Sequence, residues 1–263
     1  GGMQELTLSS RLPLTSNSIP VLGLGVWQMK PGEQTEQAIA YALSVGYRHI
    51  DTAKLYENEE SVGKAIRESN IPREELFVTT KLWPTDAFDA RAALEASLKR
   101  LSLAYVDLYL IHWPVPLFGD RVWRQMEALK EMGLAHDIGV SNYSLSHMED
   151  VLTQANIPPA VNQIECNPFS YDKKLIDFCQ KNGVIIEAYS PLTRGLHLDH
   201  ATVVTLAVQY GKSPAQILLR WALQKGAVVI PKSSNPARIA ENADIFSFSI
   251  DADGMRRLDA LAR

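Results

Sequence analysis

The sequence predicts an α/β protein, a (β/α)8 TIM barrel with a short N-terminal β-hairpin and a C-terminal helix. Three observations carry this. Short apolar runs alternate eight times with stretches of helical periodicity. The length of 263 residues is close to the ~250 of one such barrel. No linker-like composition shift divides the chain, so residues 3–263 are taken as one domain. Gly1 and Gly2, ahead of Met3, read as a cloning remnant and are left out of fold reasoning. An open sheet with two lobes is the alternative.

Runs 5–9 and 11–14 alternate apolar and polar residues and suggest the hairpin. Residues 21–27 are the first buried strand, and 34–45 the first helix, with Ala38, Ile39, Ala42, Leu43 and Val45 on or near one stripe. Strand and helix then alternate: 47–50 with 59–69, 76–80 with 89–101, 106–111 with 122–132, 137–140 with 146–154, and 160–164 with 173–181. Strand 184–189 leads to helices over 200–210 and 213–224, and strand 227–230 to a short helix over 236–242. Residues 251–262 form a last amphipathic helix. Apolar strands flanked by helices imply a parallel sheet covered by helices. The run GLGVW (23–27) has two glycines of a dinucleotide fingerprint, but no helix starts there.

Hydrophobic content of 46% with 21% charged residues is that of a soluble globular chain. A net charge of −4 gives no general attraction to nucleic acid or membrane. Cys166 and Cys179 are too few for a disulfide framework and not spaced for a CxxC metal site, so they read as reduced thiols in a cytosolic protein. There is no apolar run of ~18 residues and no basic-plus-apolar leader. A cytoplasmic monomer acting on a small molecule is expected.

In a barrel the carboxyl ends of the strands face the active site. Here those ends carry Trp27, then Asp51 and Tyr56, then Lys81 and Trp83, then His112 and Trp113. Further on come Ser141 and Asn142, then Gln163, Glu165 and Asn167, then Tyr189 and Ser190, then Lys232 and Ser233. Singly each has a plain reading: Asp51 as a loop cap, Lys81 as a surface cation, His112 as a core histidine, Trp83 and Trp113 as packing. Their convergence on one end argues for chemistry. His49 reads as structural, and His136, Asp137 and His147 as surface or packing residues. His197, Asp199 and His200 look superficially like a metal cluster but read as a solvated loop, so no metal is expected.

Asp51, Tyr56, Lys81 and His112 form a coherent set. A free phenol, with a pKa of about 10, is a poor acid–base group at neutrality. An ammonium nearby would lower that value, Asp51 can hold Lys81 charged, and His112 can donate to a substrate oxygen. Such a set protonates an oxygen as a carbonyl is reduced, and the hydride must come from a cofactor. Lys81 as a Schiff-base amine in a lyase or isomerase, and a binding protein on the same fold, stay open as alternatives.

The motifs resemble the aldo-keto reductase family, in particular its bacterial 2,5-diketo-D-gluconate and methylglyoxal reductase members. They are GYRHIDTA (46–53) with Tyr56 and ENEESVG (57–63), IHWP (111–114), GVSN (139–142), VNQIECNP (161–168), and IPKS (230–233) with RIAEN (238–242). The likeness runs in order from about residue 22 to 242. It implies an NADP(H)-dependent oxidoreductase reducing small aldehydes and ketones, keto-sugars and methylglyoxal among them. Tyr56 is implied as general acid, Asp51 and Lys81 as its tuning pair, and His112 as substrate orienter. NADPH would place its carboxamide on Ser141, Asn142 and Gln163 and stack on Tyr189, with Ser190 and Leu192 alongside. Its 2′-phosphate would meet Lys232, Ser233 and Arg238, with Glu241 and Asn242 near the adenine. The residues support that last step, because the three flank a helix start near Asn235, and helix N-termini favour anions. Trp27, Trp83 and Trp113 would wall the substrate pocket. The short segment after His112 (113–120) and the short end after the last helix depart from larger members and favour broad specificity.

Overall fold

The computed structural model describes residues 5–116, 119–189, 191–195 and 197–262. Its centre is an eight-stranded parallel sheet in chain order: β3 (Leu24–Gly25), β4 (His49–Asp51), β5 (Phe77–Leu82), β6 (Val106–Ile111), β7 (Ala135–Ser141), β8 (Val161–Glu165), β9 (Ile185–Tyr189) and β10 (Val228–Val229). Bridges Leu22↔Val229 and Gly25↔Lys232 join the first strand to the last and close the barrel. Gly23 N donates to Val229 O at 2.9 Å across this seam. Glycine is required there: a Cβ on Gly23 would lie 2.6 Å from the His49 ring, and one on Gly25 would lie 2.9 Å from Ile230 O. Regular pairing on the first strand is therefore shorter than the apolar run 21–27.

The helices follow as expected: α1 (Glu33–Ser44), α2 (Glu59–Glu68), α3 (Ala90–Leu101), α4 (Gly119–Glu131), α5 (Leu145–Gln154), α6 (Lys173–Lys181), α7 (Ala201–Tyr210), α8 (Pro214–Gln224), α9 (Pro236–Ala243) and α10 (Ala252–Asp259). Side chains satisfy several exposed amides at their starts. Ser213 and Gln216 form a capping box on α8, and Asn235 accepts from Arg238 N at 3.1 Å on α9. His147, read as a surface or packing residue, forms a second capping box with Ser144 on α5.

The hairpin is present but shifted. Its antiparallel strands are β1 (Arg11–Pro13) and β2 (Ser18–Pro20). Residues 5–9 are not a strand, because the chain turns where Ser10 N bonds Thr7 O at 3.0 Å and Thr7 N bonds Ser10 Oγ at 2.8 Å. The hairpin closes the amino-terminal end of the barrel. Asn17 Nδ2 donates to Asp107 Oδ1 at 3.0 Å and Ser16 N to Asp137 Oδ1 at 3.2 Å. Of the two readings of Asp137, surface or packing, the structure shows the second: it is a fully buried tie for the hairpin. Ile19 from the hairpin joins Phe77, Leu108, Leu110, Val161 and Val228 in an apolar cluster separate from the larger one between strands and helices. That cluster fills the lower interior and leaves the upper interior to polar side chains.

His49, next to the seam, is fully buried, packs edge-on to Phe77 and shares its Nδ1 with Pro20 O at 3.1 Å. Burial, only partly offset by Asp51, pulls its pKa from 6.5 down to about 4. The unfolded chain takes up this proton near pH 6.5 and the folded chain does not, so stability is lost as pH falls from 6.5 towards 4. At pH 5 the loss from this residue is about 2 kcal/mol. Chemical denaturation at pH 7 and pH 5 checks this: His49→Gln should lose less stability on acidification than the unaltered protein.

Candidate active site

Tyr56 stands at the carboxyl end of the barrel because of how the segment after β4 is tied. Residues Lys54–Tyr56 form one 3-10 turn, and Glu57 (φ 59°) takes the left-handed conformation that ends it. Buried Asn58 then pins the turn, accepting from Thr52 Oγ1 at 2.8 Å and donating to Val26 O at 2.9 Å. Asp51 ends β4 and Lys81 lies in β5, one strand over.

The fully buried Lys81 Nζ makes three contacts: Asp51 Oδ1 at 2.5 Å, Thr52 O at 2.9 Å and Tyr56 Oη at 3.2 Å. An ammonium with three acceptors satisfies all three of its protons. Burial alone would pull the lysine pKa down, but Asp51 and Tyr56 outweigh it and the net direction is upward. Lys81 is therefore a fixed cation. A Schiff-base amine must be neutral and exposed to substrate, and Lys81 is neither.

Tyr56 departs from the sequence expectation. Burial is the largest influence on its phenol and raises its pKa, and Lys81 offsets this only in part. The resting residue is protonated. His112 follows β6 and meets Tyr56 edge to face at 5.8 Å between ring centroids. Burial first, and then the Lys81 charge, pull its pKa from 6.5 to about 3, so the ring is neutral at physiological pH. Trp83 packs against the other side, 5.3 Å from the His112 ring. Trp83 does not line the cavity, whereas Trp27 and Trp113 do.

A cavity of about 940 Å³ opens above these groups, at the upper end of the ~300–1,000 Å³ of small-molecule sites. Asp51, Tyr56 and His112 line it, as do Ser141, Asn142, Gln163 and Tyr189, and Lys232, Ser233, Arg238, Glu241 and Asn242. Leu192 lines it too, while Ser190 lies outside the described residues. Leu55 and Leu198 also contribute, and no residue-type signal marked them in the sequence.

Ser141, Asn142, Gln163 and Tyr189 are already linked within the protein. Tyr189 Oη donates to Asn142 Oδ1 at 2.5 Å, and Asn142 Nδ2 donates to His112 O at 3.0 Å. Asn142 does this with φ at 61°, a conformation asparagine tolerates better than most residues. Ser141 Oγ donates to Gln163 O at 2.9 Å. Gln163 Nε2 gives one hydrogen to Asp51 Oδ2 at 2.8 Å and the other to Glu187 Oε1. Glu187 is a fully buried acid that the reading of strand ends passed over.

The segment with His197, Asp199 and His200 is solvated as expected, with His197 and Asp199 exposed, and two of its rings make local contacts. The His197 ring stacks on Phe169 at 4.5 Å, and His200 caps α7, its Nδ1 accepting from Thr202 N at 3.2 Å. Among the described residues no group of three or more His, Cys, Asp or Glu is placed to hold a metal ion. None of the described helices is long and apolar enough to cross a membrane.

Comparison with known proteins defines the class as a barrel oxidoreductase that reduces carbonyl groups. A sequence profile of the Aldo/keto reductase family matches residues 21–263, and the chain belongs to that family. The glyoxal reductase of Bacillus subtilis (strain 168) is 46% identical over 245 residues, which cover 92% of this chain and 89% of that protein. The methylglyoxal reductase DkgA of Yersinia pestis is 45% identical over 247 residues, with 92% and 89% covered. The crystal structure of an aldo/keto reductase from Brucella melitensis superposes with a TM-score of 0.92 at 43% identity, covering 96% of this chain and 99% of that one.

Removing the ammonium should expose how much the site's charge balance matters. Lys81→Met leaves Asp51 buried without its cation and should cost about 3–5 kcal/mol. The double variant Asp51→Asn/Lys81→Met should recover part of that loss in urea denaturation, whereas additive losses would show that the two side chains are not coupled.

Proposed function

We propose that this protein reduces small aldehydes and ketones to alcohols with NADPH, and that Tyr56 is the general acid. The observation that carries the reading is the position of Lys81 Nζ, in contact with Asp51 and Tyr56 at once. A protonated phenol beside a permanent ammonium can give its proton to a carbonyl oxygen, because the tyrosinate left behind is stabilised by the cation. His112, neutral and at the same end of the cavity, donates a hydrogen bond that orients the oxygen without competing as an acid. Thr52 O and Asp51 hold Lys81 in place while this happens.

The chemistry of the lining residues fits a phosphorylated dinucleotide, which when bound supplies the hydride. Lys232 and Arg238 are exposed cations on either side of the start of α9, and the Ser233 hydroxyl lies between them in sequence. A helix start with two cations suits a dianionic 2′-phosphate. Glu241 and Asn242, in the last turns of the same helix, fall where the adenine would lie. Tyr189 offers a ring face for the nicotinamide. Ser141 and Asn142 offer polar atoms to its carboxamide, and Gln163, with its amide hydrogens committed, offers its oxygen. Trp27, Trp113 and Leu55 supply apolar walls for a small substrate. The names of the Bacillus and Yersinia relatives favour glyoxal-type dicarbonyls within that class.

Tyr56→Phe should reduce turnover by at least ~10²-fold with NADPH binding near normal. Wild-type turnover in that variant would remove Tyr56 from the acid role. Cofactor binding by the unaltered protein with no NADPH oxidation across a panel of small aldehydes would replace the enzyme reading with a nicotinamide-binding one.

The cofactor preference has its own test. Arg238→Ala should weaken NADPH by roughly tenfold or more, the value of one charge-assisted hydrogen bond, and leave NADH nearly unchanged. Equal losses for both cofactors, measured by fluorescence titration, would refute contact with the 2′-phosphate.

A further inference from the structure

Glu187 sits in the middle of β9, at 0% exposure, in register with Gln163 on β8 and Val228 on β10. Nothing in the proton transfer from Tyr56 requires it. Yet it stands two hydrogen bonds from the Lys81–Asp51 pair. Gln163 Nε2 donates to Glu187 Oε1 with one hydrogen and to Asp51 Oδ2 with the other, and Asp51 Oδ1 accepts from Lys81.

The other end of the chain is set by His49. Its Nδ1 lies 3.1 Å from Pro20 O, which can only accept, so Nδ1 carries the hydrogen. In a neutral ring Nε2 is then a bare acceptor. It is buried with no partner, and so is Glu187 Oε2; the two atoms are 3.8 Å apart, beyond hydrogen-bond reach. An ionised Glu187 would leave two acceptors as neighbours, with a second carboxylate sharing one ammonium. A proton on Glu187 removes the second negative charge beside Asp51 and leaves the acid neutral next to the neutral His49 ring.

We propose that Glu187 is held as a neutral carboxylic acid and is a positioning residue for the tyrosine–lysine pair. It fixes the Gln163 amide with its nitrogen towards Asp51. Along Glu187, Gln163, Asp51, Lys81 and Tyr56, the Gln163 amide hydrogens and the Lys81 hydrogens then each meet an acceptor. With the Gln163 amide anchored, Asp51 shares its charge between two donors. Without the anchor, Asp51 binds Lys81 alone and more tightly, and less of the cation's field remains for the tyrosinate. Charges agree with this arrangement: burial, and then Asp51, raise the Glu187 pKa well above the usual carboxylate range, while His49 is held neutral. The titratable groups facing Glu187 are His49 and Asp51 from the β4 side, Lys81 from β5 and Tyr56 from the turn beyond β4.

The inference rests on Tyr56 as proton donor, and part of its test is independent of turnover. Glutamine reproduces the neutral acid, since its oxygen accepts from Gln163 and its amide hydrogen can point to His49 Nε2. Leucine removes both functions at similar volume. The infrared spectrum of the unaltered protein at pH 7 should contain a protonated-carboxyl C=O band that is missing in Glu187→Gln. In the direction of alcohol oxidation, rate climbs with pH as the Tyr56 tyrosinate forms. Glu187→Leu should move that climb about one unit to higher pH, a tenfold loss at fixed pH, and Glu187→Gln should return it to the wild-type position.

Absence of the infrared difference overturns the proposal. So does a climb moved to lower pH in Glu187→Gln, which would show that a negative charge had been removed, or an unmoved climb in a folded Glu187→Leu. If the leucine variant does not fold, the infrared difference decides alone. A null result with Tyr56→Phe would sink the acid assignment and leave the infrared result standing.

Discussion

The Lys81–Asp51 ion pair is the constraint on which the upper barrel is built. Taking an ammonium and a carboxylate out of water costs several kcal/mol each, and the pair survives only if its remaining hydrogen-bonding capacity is met. Thr52 O and Tyr56 Oη meet it for Lys81, and Gln163 meets it for Asp51. Thr52 and Tyr56 come from the turn beyond β4, and Gln163 from the middle of β8. The pair therefore dictates which residue types three different strands must present at one depth.

Architecture makes that depth available. The lower interior is plugged by apolar side chains and sealed by the hairpin through Ile19. Water is excluded from below, and the polar layer is reached only from the mouth. The hairpin's own polar ties, Asn17 to Asp107 and Ser16 to Asp137, lie at the opposite end from Tyr56, so closing the floor places no further charge near the reactive phenol.

Much of this was legible in the sequence because barrel strands announce themselves as short apolar runs and their carboxyl ends collect the unusual residues. Asp51, Tyr56, His112, Asn142 and Tyr189 lie where that rule puts them, around one cavity. Glu187 was missed because it interrupts an apolar run instead of ending one. Period-two alternation from Tyr189 would have placed it on the interior face, where an unpaired acid demands explanation. Trp83 was assigned to the cavity wall through the family resemblance, but its ring packs on the His112 ring, and no pattern in one dimension encodes that rotation. The hairpin was displaced for a similar reason: alternation over 5–9 looks like a strand, while the Thr7 and Ser10 side chains and backbone close a turn there. The direction of the Tyr56 shift also depended on burial, which sequence proximity to a lysine does not reveal.

That direction changes how the resting site is understood. With the phenol raised by burial and His112 depressed to about 3, both groups carry at neutral pH the protonation state that carbonyl reduction calls for: one acid loaded, one imidazole neutral. Lys81 need not ionise the tyrosine in advance. In the proposed role of Tyr56 as acid, the Lys81 contribution is to the state after transfer, when negative charge would appear on Oη 3.2 Å from a fixed ammonium in a medium that screens poorly. An interaction that grows as charge develops lowers the barrier more than it strengthens ground-state binding, and this favours a permanently charged, fully buried lysine over an exposed one.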